Sequence, residues 1–165
     1  ESYTLAWSHS YGIPTLALRL FNVLGPLQPP VHSYAAVIPA FISAAMTKRH
    51  LPVHGDGTQS RDFTYVDSVV EVITDAIVRR VSHKEPVNLA FGTRITLLQL
   101  IAKLEEILGR TLPIDFLPTR AGDVPTSQAD ASRLGELFPG LEPTPLSEGL
   151  RATVDWFESA RPWER

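Results

Sequence analysis

Residues 15–23 form an apolar run, TLALRLFNV, that carries a single arginine and lies between the turn signal Gly12-Ile13-Pro14 and the breaker Gly25-Pro26. A helix this short with such flanks is marginal, so the run reads as a buried strand. The residues before it, from Glu1 to Tyr11, lack an initiator methionine and pattern as a helix already under way. A helix that feeds a buried strand is an α/β signal, because parallel strands need helical crossovers and are covered on both faces.

The rest of the chain repeats that punctuation. Residues 27–33 hold two prolines and read as a loop. Over residues 34–49, Val37, Ile38, Phe41, Ile42, Ala45 and Met46 recur at helical spacing; Pro39 sits early enough for a first turn, and Lys48 and Arg49 fall where positive charge suits the helix dipole. Pro52-Val53-His54 leads into the glycine turn Gly55-Asp56-Gly57. A second helix is predicted over residues 66–80, with Val69, Val70, Ile73, Ile77 and Val78 as its buried stripe, and a short strand over residues 86–91. Thr96 and Gln99 form a capping box ahead of residues 97–108, which Gly109 closes. Residues 112–117 read as a strand and 120–127 as a polar loop. Asp130 is expected to cap a short helix and Ser147 the last one, whose apolar residues are Leu150, Val154, Trp156 and Phe157. Helices outweigh strands, which fits a small lobe attached to a sheet domain.

The formal charge is -3, from 15 basic and 18 acidic residues scattered along the chain. Nothing in that balance suggests nucleic acid or an anionic membrane as partner, although a few arginines in a cleft bind phosphate whatever the net charge. With no cysteine, disulfide scaffolds, thiolate nucleophiles and cysteine metal sites drop out. The histidines at positions 9, 32, 50, 54 and 83 lack metal-ligand spacing, so no metal site is expected. No run approaches the ~20 apolar residues of a membrane span, and the N-terminus is not a signal peptide, so a soluble, cytoplasmic protein is expected. Neither phosphate-loop motif, G-x-G-x-x-G or G-x-x-x-x-G-K-[ST], occurs, and no serine sits in G-x-S-x-G.

The densest polar cluster runs from Asp56 to Asp67. Its glycines permit close backbone approach and Arg61 can grip a phosphate through two bonds; equally, it reads as a solvated loop in which Arg61 pairs with Asp62 or Asp67. Arg120 and Asp123 flank Gly122 and offer a diphosphate fork and a hydroxyl acceptor, or an ordinary turn salt bridge. Asn22 ends a buried strand, where ligands of open α/β sheets collect, or it caps the following turn. Trp7, Trp156 and Trp163 read as packing residues.

Taken in order, Tyr11-Gly12-Ile13-Pro14, Leu18-Arg19-Leu20-Phe21-Asn22-Val23-Leu24-Gly25-Pro26 and Gly55-Asp56-Gly57-Thr58-Gln59-Ser60-Arg61-Asp62-Phe63-Thr64-Tyr65-Val66-Asp67 resemble the extended short-chain dehydrogenase/reductase family. Asn88, Arg120-Ala121-Gly122-Asp123-Val124, Ala129-Asp130 and Leu146-Ser147-Glu148-Gly149-Leu150 extend the likeness over nearly the whole chain. The ordered set is similar to nucleotide-sugar epimerases, dehydratases and decarboxylases. The stretches around Tyr34-Ala35-Ala36-Val37-Ile38-Pro39 and Gly122-Asp123-Val124 look closest to UDP-glucose and UDP-N-acetylglucosamine 4-epimerases.

The resemblance implies an α/β chain that is the C-terminal part of such an enzyme: the last strands and helices of a Rossmann sheet plus a small mixed α/β substrate-binding domain. Residues 1–26 would end the Rossmann domain, 27–60 would begin the substrate domain, 61–92 would return to the sheet, and 93–165 would complete the substrate domain. NAD would be bound mainly by a missing N-terminal domain. The family's tyrosine and lysine, which exchange the proton at the sugar 4-hydroxyl while hydride moves between C4 and the nicotinamide, would lie before Glu1, so no catalytic residue is assigned. Tyr3 is not the catalytic tyrosine, because Trp7 stands where the lysine would be required.

By the same resemblance, the chain would be the substrate-binding half of a 4-epimerase for a nucleoside-diphosphate sugar. Asn22, Arg61 and Arg120 would contact the diphosphate and Asp123 the ribose. Ala36, Val37, Phe41, Pro52, Val53 and His54 would flank the base, and Leu20 and Phe21 would lie beside the nicotinamide. Leu20 replaces a common tyrosine and Leu27 a common basic residue, departures that bear on which sugar is used. A related dehydratase, decarboxylase or reductase, a nucleotide-binding fragment and an inert remnant are the alternatives. The family's usual homodimer is the expected assembly of the full-length protein.

Overall fold

The computed structural model describes residues 1–30, 36–120 and 122–164. The Tyr34 start of the first predicted internal helix, His32 and Ala121 lie outside them.

The chain opens with helix α1 (Ser2–Tyr11), which Gly12 ends in the left-handed conformation that a residue without Cβ adopts freely. The predicted strand follows, but broken in two: β1 (Leu18–Leu20) and β2 (Asn22–Leu24) flank Phe21, whose carbonyl accepts from the Val23 N–H at 2.8 Å in a tight kink. β1 pairs in parallel with β5 (Val87–Leu89), and β2 pairs in parallel with β4 (Ser60–Tyr65). One extended segment therefore joins two sheets.

Helix α2 (Val37–Met46) runs into β3 (Leu51–His54), and Pro39 is tolerated in its first turn, where its missing N–H costs no bond. Lys48 does not continue the helix; it takes a positive φ of 54° and turns the chain toward β3. β4, part of the polar cluster that reads either as a phosphate-gripping or as a solvated loop, is a strand with every residue but Arg61 buried. Its Phe63-Thr64-Tyr65 end favours an extended backbone, and pairing on both sides outweighs the turn-forming residues before it.

Helix α3 (Val66–Arg79) departs from expectation in its facing. Ser68, Val69 and Val72 are buried, whereas Val70, Ile73, Ile77 and Val78 are exposed, Ile77 to 71%. The helix has two apolar sides, and the sheet takes the one that continues directly from β4. An unpredicted strand, β6 (Arg94–Thr96), lies antiparallel to β4 and delivers the chain to α4 (Leu97–Leu108), whose reciprocal Thr96–Gln99 capping box is formed as expected. β7 (Ile114–Leu117) pairs in parallel with β3. Helix α5 (Ser132–Leu137) starts after Asp130, whose carboxylate accepts from the Ser132 N–H at 2.9 Å. Helix α6 (Leu146–Ala160) begins at Pro145, so Ser147 lies inside it rather than capping it.

The main core gathers Ile42, Leu51, Val53, Leu100, Leu104, Leu150 and Phe157 from α2, β3, α4 and α6. A second cluster of Val69, Val72, Val87, Leu89, Leu134 and Phe138 packs around β5. Trp7 does not pack into either core; it is 61% exposed and meets Tyr11 edge-on.

These pairings correct the reading of the chain as a C-terminal remnant only. Three parallel strand pairs linked through helices, in alternating β-α-β order, give this chain a Rossmann-type architecture of its own. Parallel neighbours can be joined only by such crossovers, so the arrangement is internal to these residues.

Candidate functional site

At the carboxyl end of β1 and the start of β2 the chain opens into a cleft of about 450 Å³. Each wall follows from a local periodicity. Val37, Ala40 and Phe41 fall on one face of α2 at three- and four-residue spacing. On β3, side chains alternate: Leu51 and Val53 are fully buried in the core, while Pro52 and His54 face the cleft. Gln59 fixes the turn after β3 by donating to the His54 carbonyl. The His54 Nδ1–H donates to the Pro118 carbonyl at 3.0 Å, which ties β3 to the segment after β7.

The opposite wall is polar. Arg61 projects from β4, and Arg120, Gly122 and Asp123 come from the segment after β7. That segment is stitched to β4 by its backbone: Ser60 N–H donates to the Pro125 carbonyl at 2.9 Å and Ser127 N–H to the Ser60 carbonyl at 3.0 Å. The Arg61 guanidinium pairs with the Asp123 carboxylate and also donates to the Val124 carbonyl at 2.6 Å. Neither Asp62 nor Asp67 is its partner, and Asp123 is not paired with Arg120. Among the described residues, Arg120 has no ion pair. Asn22, at the floor, donates from Nδ2 to the Asp62 carbonyl at 3.0 Å and so does not cap the turn after it.

Behind the polar wall Asp62 is fully buried. Burial raises its carboxyl above the usual carboxylate range, against the lowering effect of N–H groups from Ala129 and Gly92 and the hydroxyl of Thr93. In the turn, Asp56 is held lower than usual by the Thr58 hydroxyl and N–H.

Of the residues singled out from sequence, Asn22, Val37, Phe41, Pro52, His54, Arg61, Arg120 and Asp123 line this one cleft. Val53 faces the core, and Ala36 is exposed just ahead of α2. Leu20 and Phe21 lie at the end of β1, outside the cleft lining, with Leu20 53% exposed. Ala40, Gln59, Leu97 and Gly122 were not anticipated as lining residues. Ala40 follows from the spacing of Val37 and Phe41; nothing in the sequence marks Leu97, which reaches the cleft only through the unpredicted strand β6. Among the described residues no group of His, Asp and Glu could hold a metal ion, and no helix is long and apolar enough to cross a membrane. A roomier depression of about 760 Å³ beside Gly12 and His83 has its arginine, Arg133, already engaged by Glu85 at 2.7 Å.

Residues 1–90 match the model of the NAD dependent epimerase/dehydratase family. The chain is 36% identical, with a TM-score of 0.88, to the UDP-N-acetylglucosamine 4-epimerase from Methanobrevibacter ruminantium M1 solved with UDP-N-acetylmuramic acid, covering 97% of this chain and 51% of that one. It is 30% identical, TM-score 0.82, to the UDP-glucuronic acid 4-epimerase from Bacillus cereus in complex with UDP-glucuronic acid and NAD, over 94% of this chain and 48% of that one. Among curated proteins, it is 31% identical to an uncharacterised UDP-glucose epimerase of Bacillus subtilis (strain 168), over 96% of this chain and 49% of that protein. The chain spans about half the length of the curated relatives it matches. Two expectations are corrected here. The parallel architecture inside this chain superposes on an NAD-containing relative, so NAD is not assigned mainly to a domain outside it. Likewise the chain is not reduced to a substrate-binding half, since the matched module is that of the epimerase family itself.

Proposed function

We propose, from the premise that this chain belongs to the NAD dependent epimerase/dehydratase family, that it serves an NAD-dependent nucleotide-sugar epimerase or dehydratase and that its cleft holds the nucleoside diphosphate of the substrate. The observation that carries this reading is the meeting of two arginines, Arg61 and Arg120, with the acceptor Asp123 on one wall, opposite the apolar Val37, Phe41 and Pro52 on the other. A nucleotide asks for that division: planar forks for the diphosphate, an acceptor for a ribose hydroxyl and a flat apolar slot for the base. Asn22, on the floor, offers its side chain to the phosphates.

The solved relatives hold UDP-linked sugars, which makes a UDP-sugar the substrate class of choice for this cleft. NAD supplies the hydride acceptor and donor of the family's chemistry, and Leu20 and Phe21, apolar and at the carboxyl end of β1, offer the wall for its nicotinamide. Gripping the nucleotide fixes where the sugar lies, which contributes to catalysis by orientation. A cytoplasmic setting and a homodimer built on the exposed Tyr3, Trp7 and Tyr11 face of α1 belong to the same reading.

Titration calorimetry with UDP-glucose tests it. Wild type should bind, and Arg61→Ala and Arg120→Ala should each lose about 10- to 100-fold in affinity, the range for one charge-assisted contact to a phosphate. Absence of binding at millimolar ligand, or variants that bind like wild type, would remove the nucleotide from this cleft.

A further inference from the structure

The polar wall of the cleft is assembled from chain segments far apart in sequence, and one buried side chain touches several of them. Asp62 sits in the middle of β4 with no exposed surface. One carboxylate oxygen lies 3.4 Å from the Thr93 hydroxyl in the turn before β6, which donates at shorter range, 3.0 Å, to the Phe63 carbonyl of the same strand; the other faces the Ala129 N–H at 3.4 Å, at the far end of the segment that carries Arg120 and Asp123. Its backbone carbonyl accepts from Asn22 on the cleft floor. Its immediate neighbour in sequence is Arg61, which reaches the same segment through Asp123 and Val124.

A carboxylate is a costly choice at a fully buried position unless its oxygens are used. No cation compensates it among the described residues. Arg94, opposite it on β6, and Arg61, beside it on β4, form no ion pair with it, and the Asp130 carboxylate is turned away to Ser132. What it has instead are N–H and O–H donors from loops, which is the arrangement of a pin.

We propose that Asp62 is a positioning residue of the cleft, holding the Gly92–Thr93 turn and residues 122–130 against β4 so that Asp123 and Asn22, with Arg120, present a preformed site to a nucleoside diphosphate. The proposal rests on the nucleotide-binding reading given above. The carboxylate offers one accepting oxygen to each side, whereas an amide has a single accepting oxygen and turns an N–H toward the other. Burial raises its carboxyl, against the lowering effect of those donors.

The test uses Asp62→Asn, which keeps the volume and removes the charge, with Asp62→Glu as the conservative rescue. UDP-glucose affinity should fall by about tenfold in Asp62→Asn, the size of one lost bond to a charged group, and recover in part in Asp62→Glu. Amide hydrogen exchange without ligand should quicken at Ala129 and Ser127 in Asp62→Asn and stay unchanged in α4. Wild-type affinity in Asp62→Asn, or unchanged exchange at Ala129 and Ser127, overturns the proposal. If wild type fails to bind UDP-glucose at all, the nucleotide reading falls, and the exchange measurement alone then decides whether Asp62 holds the segment.

Discussion

The two hydrophobic clusters differ in how they are closed. The larger one, beneath the cleft, is covered on every side by α2, α4 and α6, and seven of the ten residues of α2 are buried. The smaller one, around β1 and β5, is covered by α3 and α5, and α3 keeps apolar residues in water. Helix α1 buries none of its residues, and α3 leaves Val70, Ile73, Ile77 and Val78 outside. The contrast separates two jobs. The residues that must hold a cleft to a fixed shape sit on a closed core, whereas those around β5 present faces of the kind that pack against other protein.

The contrast can be broken by truncation. Phe157→Ala, in the closed core, should cost about 3–5 kcal/mol in urea unfolding, against about 2 kcal/mol for Leu89→Ala in the smaller cluster, where open surroundings relax into the gap. Equal costs would mean that the two cores are equally closed. Gly149→Ala sharpens the same point from the opposite side. A Cβ there would meet the Tyr65 ring at 2.7 Å, so the closed core should lose about 1–3 kcal/mol despite alanine's better helix propensity. A neutral result would show room that the packing does not suggest.

Asp62 belongs to the closed region and supplies a pH-dependent test of it. Its folded pKa lies above its unfolded value of roughly 3.9. The resulting stabilisation is present below that value and is lost as pH rises through the folded pKa. The stability of Asp62→Asn relative to wild type should therefore improve from pH 4 to pH 7, read from urea midpoints; a flat difference would mean that the carboxyl is not desolvated. The smallest effect belongs to the open region: Trp7→Ala or Ile77→Ala should change stability by no more than about 0.5 kcal/mol.

The sequence made the elements with strong punctuation legible. The Thr96–Gln99 box, Gly109 and Gly12 mark the helix ends where the structure has them, because capping is decided by residues a few positions apart. The facing of α3 was not legible, since Val70, Ile73 and Ile77 make as good a stripe as Ser68, Val69 and Val72, and only the sheet selects between them. Strand β4 was hidden for a related reason: Asp56 to Asp62 is polar enough for a loop, and its burial depends on β2 and β6, which are 30 or more residues away. In the cleft, Arg61, Arg120 and Asp123 were recognisable by chemistry, but the pairing of Arg61 with Asp123 was not, because sequence proximity points to Asp62 and Asp67 instead. The role of Asp62 carries no local signature; it exists only once Thr93 and Ala129 have been brought to it.

The kink at Phe21 limits how pieces of this molecule can be exchanged with those of a relative. Residues 18–20 are hydrogen-bonded to one sheet and residues 22–24 to another. A chimera that imports a foreign cleft by cutting at the boundary between the sheets would cut through this segment and mismatch one set of ladder bonds. Recombination should leave residues 18–24 whole and travel with both neighbours, β4 and β5, as a single block.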